Sequence, residues 1–137
     1  MNTQQKAQVE KAILKITDAY FEVCRQLDAG EFMSFFADAA GLFVVENGVI
    51  YPSRKAFYDE YIAGFFAEAV KLNPVWEERH VFPFSLEAAM VTGIFRYDAL
   101  LRSGDAVGGR NACTFVFTKV GERWQIIHVH ESSILAE

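Results

Sequence analysis

The chain has 137 residues, enough for one domain whose hydrophobic core needs neither disulfides nor metals, and too few for two. Apolar residues make up 52% and aromatic ones 15%, with thirteen Phe, which is more than one compact core takes up, so part of the surplus is expected to line a cavity or an interface. A net charge of −5 with no Lys/Arg cluster excludes the basic footprint of a nucleic-acid binder. The sequence has no apolar run of roughly 18 residues for a membrane span and opens without a basic-then-apolar leader, so a soluble, cytoplasmic protein is expected.

From Thr3 to about Asp28, Val9, Ile13, Ile16, Tyr20, Val23, Cys24 and Leu27 recur at three- and four-residue steps, which predicts a long amphipathic helix. Asn2 or Thr3 suits its N-cap, and Gly30 the left-handed residue that ends it. Glu31 to Ala37 reads as a short helical turn that folds Phe32, Phe35 and Phe36 back onto that helix. Leu42 to Val45 and Val49 to Tyr51 flank Glu46-Asn47-Gly48, and Asn-Gly favours a two-residue hairpin turn because both residues tolerate positive φ. Pro52-Ser53 then gives a stop and an N-cap, and Phe57, Tyr61, Ile62, Phe65, Phe66 and Val70 mark another helix that ends before Asn73-Pro74.

Beyond that proline four strands are predicted in meander order, Trp76 to Phe84, Ala88 to Arg102, Arg110 to Val120 and Arg123 to Leu135. Ser85-Leu-Glu, a Gly-rich loop from Ser103 to Gly109, and Gly121-Glu122 separate them. Helices first and an antiparallel sheet afterwards is the α+β order, and strands longer than ten residues favour a strongly curved sheet.

The last strand carries the most chemistry. Trp124, Ile126, His128, His130 and Ser132 share one parity and grow more polar toward the C-terminus, as a strand does that leaves a core and enters a cavity. A two-residue turn at Gly121-Glu122 pairs Val120 with Arg123, Phe117 with Ile126, Phe115 with His128 and Cys113 with His130. In that register Cys113, Phe115, Phe117, Trp124, Ile126, His128 and His130 look inward. The opposite, β-branched set of Thr114, Val116, Ile127 and Val129 then reads as a homodimer contact.

The expected ligand cavity therefore has Tyr20, Phe57, Tyr61, Phe95, Tyr97 and Phe115 as its wall and His128 and His130 at its polar end. The two histidines are the best candidates for general acid or base work, the bland alternative being neutral imidazoles bonded to backbone, Tyr97 or Tyr20. As metal ligands they need a third partner, and His80 is the only other histidine, so no metal is expected. The chain has no G-x-G-x-x-G, P-loop, G-x-S-x-G or H-E-x-x-H, and no cofactor is expected. Cys24 and Cys113, among apolar neighbours, read as buried reduced thiols.

Leu27-Asp28-Ala29-Gly30-Glu31-Phe32, Phe36-Ala37-Asp38-Ala39 and the C-terminal run Gly121-Glu-Arg-Trp-Gln-Ile-Ile-His-Val-His-Glu-Ser132 together resemble the nuclear transport factor 2-like superfamily. The last run is especially similar to SnoaL-like small proteins and the related association domain of calcium/calmodulin-dependent kinases. The resemblance implies a cone: a curved antiparallel sheet wrapped around the long N-terminal helix, with a pocket at the wide end. It also implies that Phe115 and Phe95 stand where the kinase association domains carry pocket arginines. The ketosteroid isomerase branch has a carboxylate base near Val44 and a tyrosine near Val23; both positions are apolar here, which leaves His128 or His130 for acid/base work of the polyketide-cyclase kind. Three readings follow: a homodimeric domain that binds a small, largely apolar molecule, an isomerase, cyclase or dehydratase, and a noncatalytic assembly or partner-binding module.

Overall fold

The computed structural model describes residues 1–38 and 42–135; Ala39 of the second family-like motif and the last two residues of the expected 1–137 domain lie outside them. Helix α1 (Thr3–Gln26) starts in a capping box: Gln5 N donates to Asn2 Oδ1 at 2.8 Å and Asn2 N to Gln5 Oε1 at 3.0 Å. Its buried stripe is Val9, Ile13, Thr17, Tyr20, Phe21 and Cys24. Leu27, with φ 57°, takes the left-handed position expected of Gly30. The reason is local: Asp28 caps the next helix, α2 (Ala29–Met33), by accepting from Glu31 N at 3.0 Å, so Gly30 is already helical.

Strands β1 (Phe43–Glu46) and β2 (Val49–Tyr51) form the expected hairpin, with φ 48° at Asn47 and 83° at Gly48, the mirror-image turn that suits strand twist. Ser53 caps α3 (Arg54–Phe57), which runs through a π-helical turn at Tyr58–Ile62 into α4 (Ala63–Glu68). The helix stops earlier than expected, and β3 (Ala69–Ser85) begins five residues before Pro74. A proline is tolerated there because β3 is an edge strand, whose outer side needs no N–H. Strands β4 (Ala88–Leu101), β5 (Ala106–Val120) and β6 (Arg123–Ile134) complete the sheet. Strand β5 begins four residues before the expected Arg110, because Gly108 lets the strands close: a Cβ on it would lie 2.6 Å from the Tyr97 carbonyl.

The six strands run in the order β2-β1-β6-β5-β4-β3, and α1 packs on the inner face of this curved sheet in an α+β cone. All pairs are antiparallel except β1 with β6, which makes the sheet mixed. The deepest side chains, Ile13, Thr17, Phe36, Val44, Val91, Phe115, Phe117 and Ile126, hold helix and sheet together.

The turn at Gly121 (φ 61°) pairs Val120 with Arg123 and Phe117 with Ile126 as expected. Ile127 is then an extra residue, and beyond it the partners are Val116–His128, Phe115–Val129, Thr114–His130 and Cys113–Glu131. This β-bulge corrects the expected register by one residue, which turns every later side chain to the opposite face. It falls where the other edge of β6 changes neighbour. At Ile126 that edge bonds to the segment after α2 (Ala37 N to Ile126 O 2.9 Å, Ile126 N to Phe35 O 2.8 Å), and from His128 onward it pairs with β1. His128 and His130 therefore lie on the outer face, beside Phe43 and Val45 of β1. Val129, expected in the dimer contact, is 2% exposed and belongs to the core.

Candidate functional site

The inner face encloses a cavity of about 140 Å³. Tyr20 and Phe21 of α1 and Phe32 of α2 close one side; Phe57, Tyr61, Phe65 and Phe66 of the continuous α3–α4 segment close another; Phe95 and Tyr97 of β4 form the floor. The stripe Phe57, Tyr61, Phe65 comes from four-residue spacing and stacks ring on ring, with centroids 5.9 and 6.2 Å apart. Tyr61 and Ile62 enter the wall from the π-helical turn, a helix irregularity that is frequent at functional sites.

The structure thus brings Tyr20, Phe57, Tyr61, Phe95 and Tyr97 to one cavity, and it separates the other three expected residues from it. Phe115 faces inward but is core, 1% exposed and packed edge-on against Tyr20 (5.6 Å) and Trp76 (6.2 Å). His128 and His130 were expected at the polar end; the bulge at Ile127 puts them on the outer face instead. His80, the third histidine, is exposed on β3 with its Nε2 2.7 Å from Glu78.

The polar end is made by residues that sequence reasoning passed over. Glu46 and Glu131 are direct partners in the parallel β1–β6 pair, and both border the cavity with Asn47, Asn111 and Ser133. Asn47 N–H donates to the Glu131 carbonyl at 3.0 Å and Ser133 N–H to Asn47 Oδ1 at 2.7 Å, so the β1–β2 turn is fastened to β6 where the carboxyls meet. Glu46 is only 9% exposed, and Asn111 and Tyr20 8% each. Glu46 was legible in principle, since it shares the parity of Val44 in a two-sided strand; Glu131 was hidden by the bulge.

Burial pushes the Glu131 carboxyl well above the usual carboxylate range, and its hydrogen bond to Glu46 and the charge of Glu46 push it further. Burial, with these carboxyls adding, also raises the hydroxyls of Tyr20, Tyr61 and Tyr97, so all three stay neutral donors at ordinary pH. The Cys24 thiol beside them is pushed up to about 12 by burial and by Glu131, which keeps it protonated and a poor nucleophile. A carboxyl that keeps its proton can give it to a bound molecule, and with a second carboxyl beside it the pair can take one back. Among the described residues no Lys, Arg or His borders the cavity.

The SnoaL-like domain family matches residues 13–137. Of the solved structures, a nuclear transport factor 2-like superfamily protein from Salmonella enterica superposes with a TM-score of 0.84 at 14% identity, over 95% of this chain and 94% of its own. A Novosphingobium aromaticivorans protein named for scytalone dehydratase gives 0.83 at 13% identity, over 98% and 89%. The association domain of C. elegans calcium/calmodulin-dependent protein kinase II gives 0.72 at 19% identity, over 96% and 99%. At such identities these likenesses are likenesses of fold. No curated protein matches the sequence. No helix among the described residues is long and apolar enough to cross a membrane.

Proposed function

The chain belongs to the SnoaL-like family of the nuclear transport factor 2-like superfamily, and on that premise we propose that it binds a small, largely apolar molecule in the cavity between α1 and the sheet. The observation that carries this reading is the Glu46–Glu131 pair at the end of a largely aromatic cavity. The polar end of the ligand lies against these carboxyls, Asn111 and Tyr97; His128 and His130 have no part in it. A cavity of about 140 Å³ is close to one of roughly 150 Å³ that accepts benzene, so a ligand of about one ring is the fitting size. Native mass spectrometry of the purified protein should find a carried molecule of that size, and ring-sized compounds should raise the melting temperature. A chain that carries nothing and responds to no such compound overturns the reading.

The protonated Glu131 beside Glu46 favours one second reading, an isomerase, cyclase or dehydratase that moves a proton with this pair. The neighbour named for a dehydratase supports it at the level of fold. Glu131→Gln separates the two: an enzyme loses turnover with binding retained, whereas a binder changes only in affinity.

We further propose a homodimer through the outer face of β5 and β6, where Thr114, Val116 and Ile127 are half-buried and Phe43 on neighbouring β1 is 43% exposed. The assembly-domain neighbour supports self-association and, with it, the noncatalytic assembly module as the remaining alternative. Residues 1–137 as a single domain and a reducing, cytoplasmic location, which suits two buried free thiols, complete the proposal.

A further inference from the structure

We propose that the cavity selects a small organic cation, a protonated amine on a body of about one aromatic ring, with its ammonium against Glu46 and Glu131. This rests on the small-molecule reading above and names the charge of the ligand. The charged side chains that border the cavity are both acidic, and among the described residues no basic one offsets them. An anionic ligand would meet the pair with like charge in a low-dielectric enclosure, and a neutral one would leave the pair as it is. A cation gains twice: it pairs with the carboxyls, and it lies among the aromatic rings of Tyr61, Phe65 and Tyr97 that border the same cavity, groups that attract an ammonium.

Two further side chains point to a ligand independently of the acids. Tyr20 and Asn111 are both more than nine-tenths buried and border the cavity, and among the described residues neither side chain has a hydrogen-bond partner. Their polar atoms open onto the cavity itself, where a ligand group can bond them. Together they present acceptors, the Tyr20 hydroxyl and the Asn111 carbonyl, to the remaining N–H groups of an ammonium.

Binding then has a proton balance. The amine enters as its ammonium, Glu131 gives up the proton it shares with Glu46, and that proton leaves to the buffer. Opposite charge beside a carboxyl favours its ionised form, so release is the expected sign.

Calorimetry at pH 7 with benzylammonium, its neutral isostere benzyl alcohol and benzoate tests this, run in two buffers of different ionisation enthalpy. Benzylammonium is expected to bind at least tenfold tighter than benzyl alcohol, with a buffer-dependent heat that reports proton release, and benzoate not at all. Glu131→Gln should lose the tenfold preference and the proton release; Glu46→Gln serves the same purpose if the first variant fails to fold. Benzyl alcohol binding as tightly as the amine, or benzoate binding tighter, overturns the cation while leaving the small-molecule cavity intact. No binding by any of the three at millimolar concentration overturns both.

Discussion

In the proposed reading Glu131 carries the chemistry of the cavity, and its proton also ties stability to pH. Burial holds its folded-state pKa above the ordinary 4.5. The folded state therefore keeps a proton that the unfolded chain gives up, so this contribution to stability is complete below about 4.5 and is lost as pH rises through the folded value. Glu131→Gln has nothing to titrate there, so its stability relative to the wild type should climb with pH above that point, by about 1.4 kcal/mol per unit within the window. Paired melting curves from pH 4 to 8 check this, and a difference that stays flat means the carboxyl is not held protonated. His128 and His130 give the opposite expectation: on the outer face, changing both to Gln should leave affinity for any cavity ligand within twofold, measured by the same calorimetry. A tenfold loss would return the histidines to the site.

At the scale of elements, close backbone approach decides where strands meet. Gly93 in β4 faces a bulge between Trp76 and Glu78 of β3, and a Cβ there would lie 2.7 Å from the Glu78 carbonyl and 3.0 Å from the Trp76 ring. Trp76 is itself stacked on Phe21 of α1 at 4.3 Å and cannot yield freely. Gly93→Ala should cost about 1–3 kcal/mol, as overpacking does, and urea unfolding measures it. An unchanged midpoint would mean the β3 bulge opens at no cost. The β6 bulge acts at the same scale with a larger consequence, since one extra residue moves Val129 into the core and two imidazoles out of it. Periodicity cannot show such an event, because it leaves the residues on either side in perfect alternation with their own neighbours.

For the whole molecule, the inner face of the sheet is covered by α1 and the α3–α4 segment, whereas the outer face of β5 and β6 carries half-buried Thr114, Val116 and Ile127 in a single chain. Light scattering at micromolar concentration should give about twice the 15.5 kDa chain mass. Val116→Lys should then halve that mass at little cost in folding stability, because Val116 faces away from the core. Val129→Lys should instead destabilise the fold itself, the residue being 2% exposed, which distinguishes this register from the unbulged one. A monomeric wild type removes the dimer.

The sequence by itself determined the elements and their order, because helix periodicity in α1, the Asn47-Gly48 turn and the caps at Asn2 and Ser53 are local signals set by residues a few positions apart. It determined the aromatic wall as well, since Phe57, Tyr61, Phe95 and Tyr97 follow from the face their own element buries. Tertiary structure decided the polar end. Which carboxyl meets which depends on β1 lying parallel to β6, and on the bulge that forms where β6 exchanges the Phe36 segment for β1, and the partners of β6 on that edge lie 85 to 90 positions away in the chain. No local pattern carries that information, because a strand's alternation is the same whichever neighbour it finds and whichever of its residues is left unpaired.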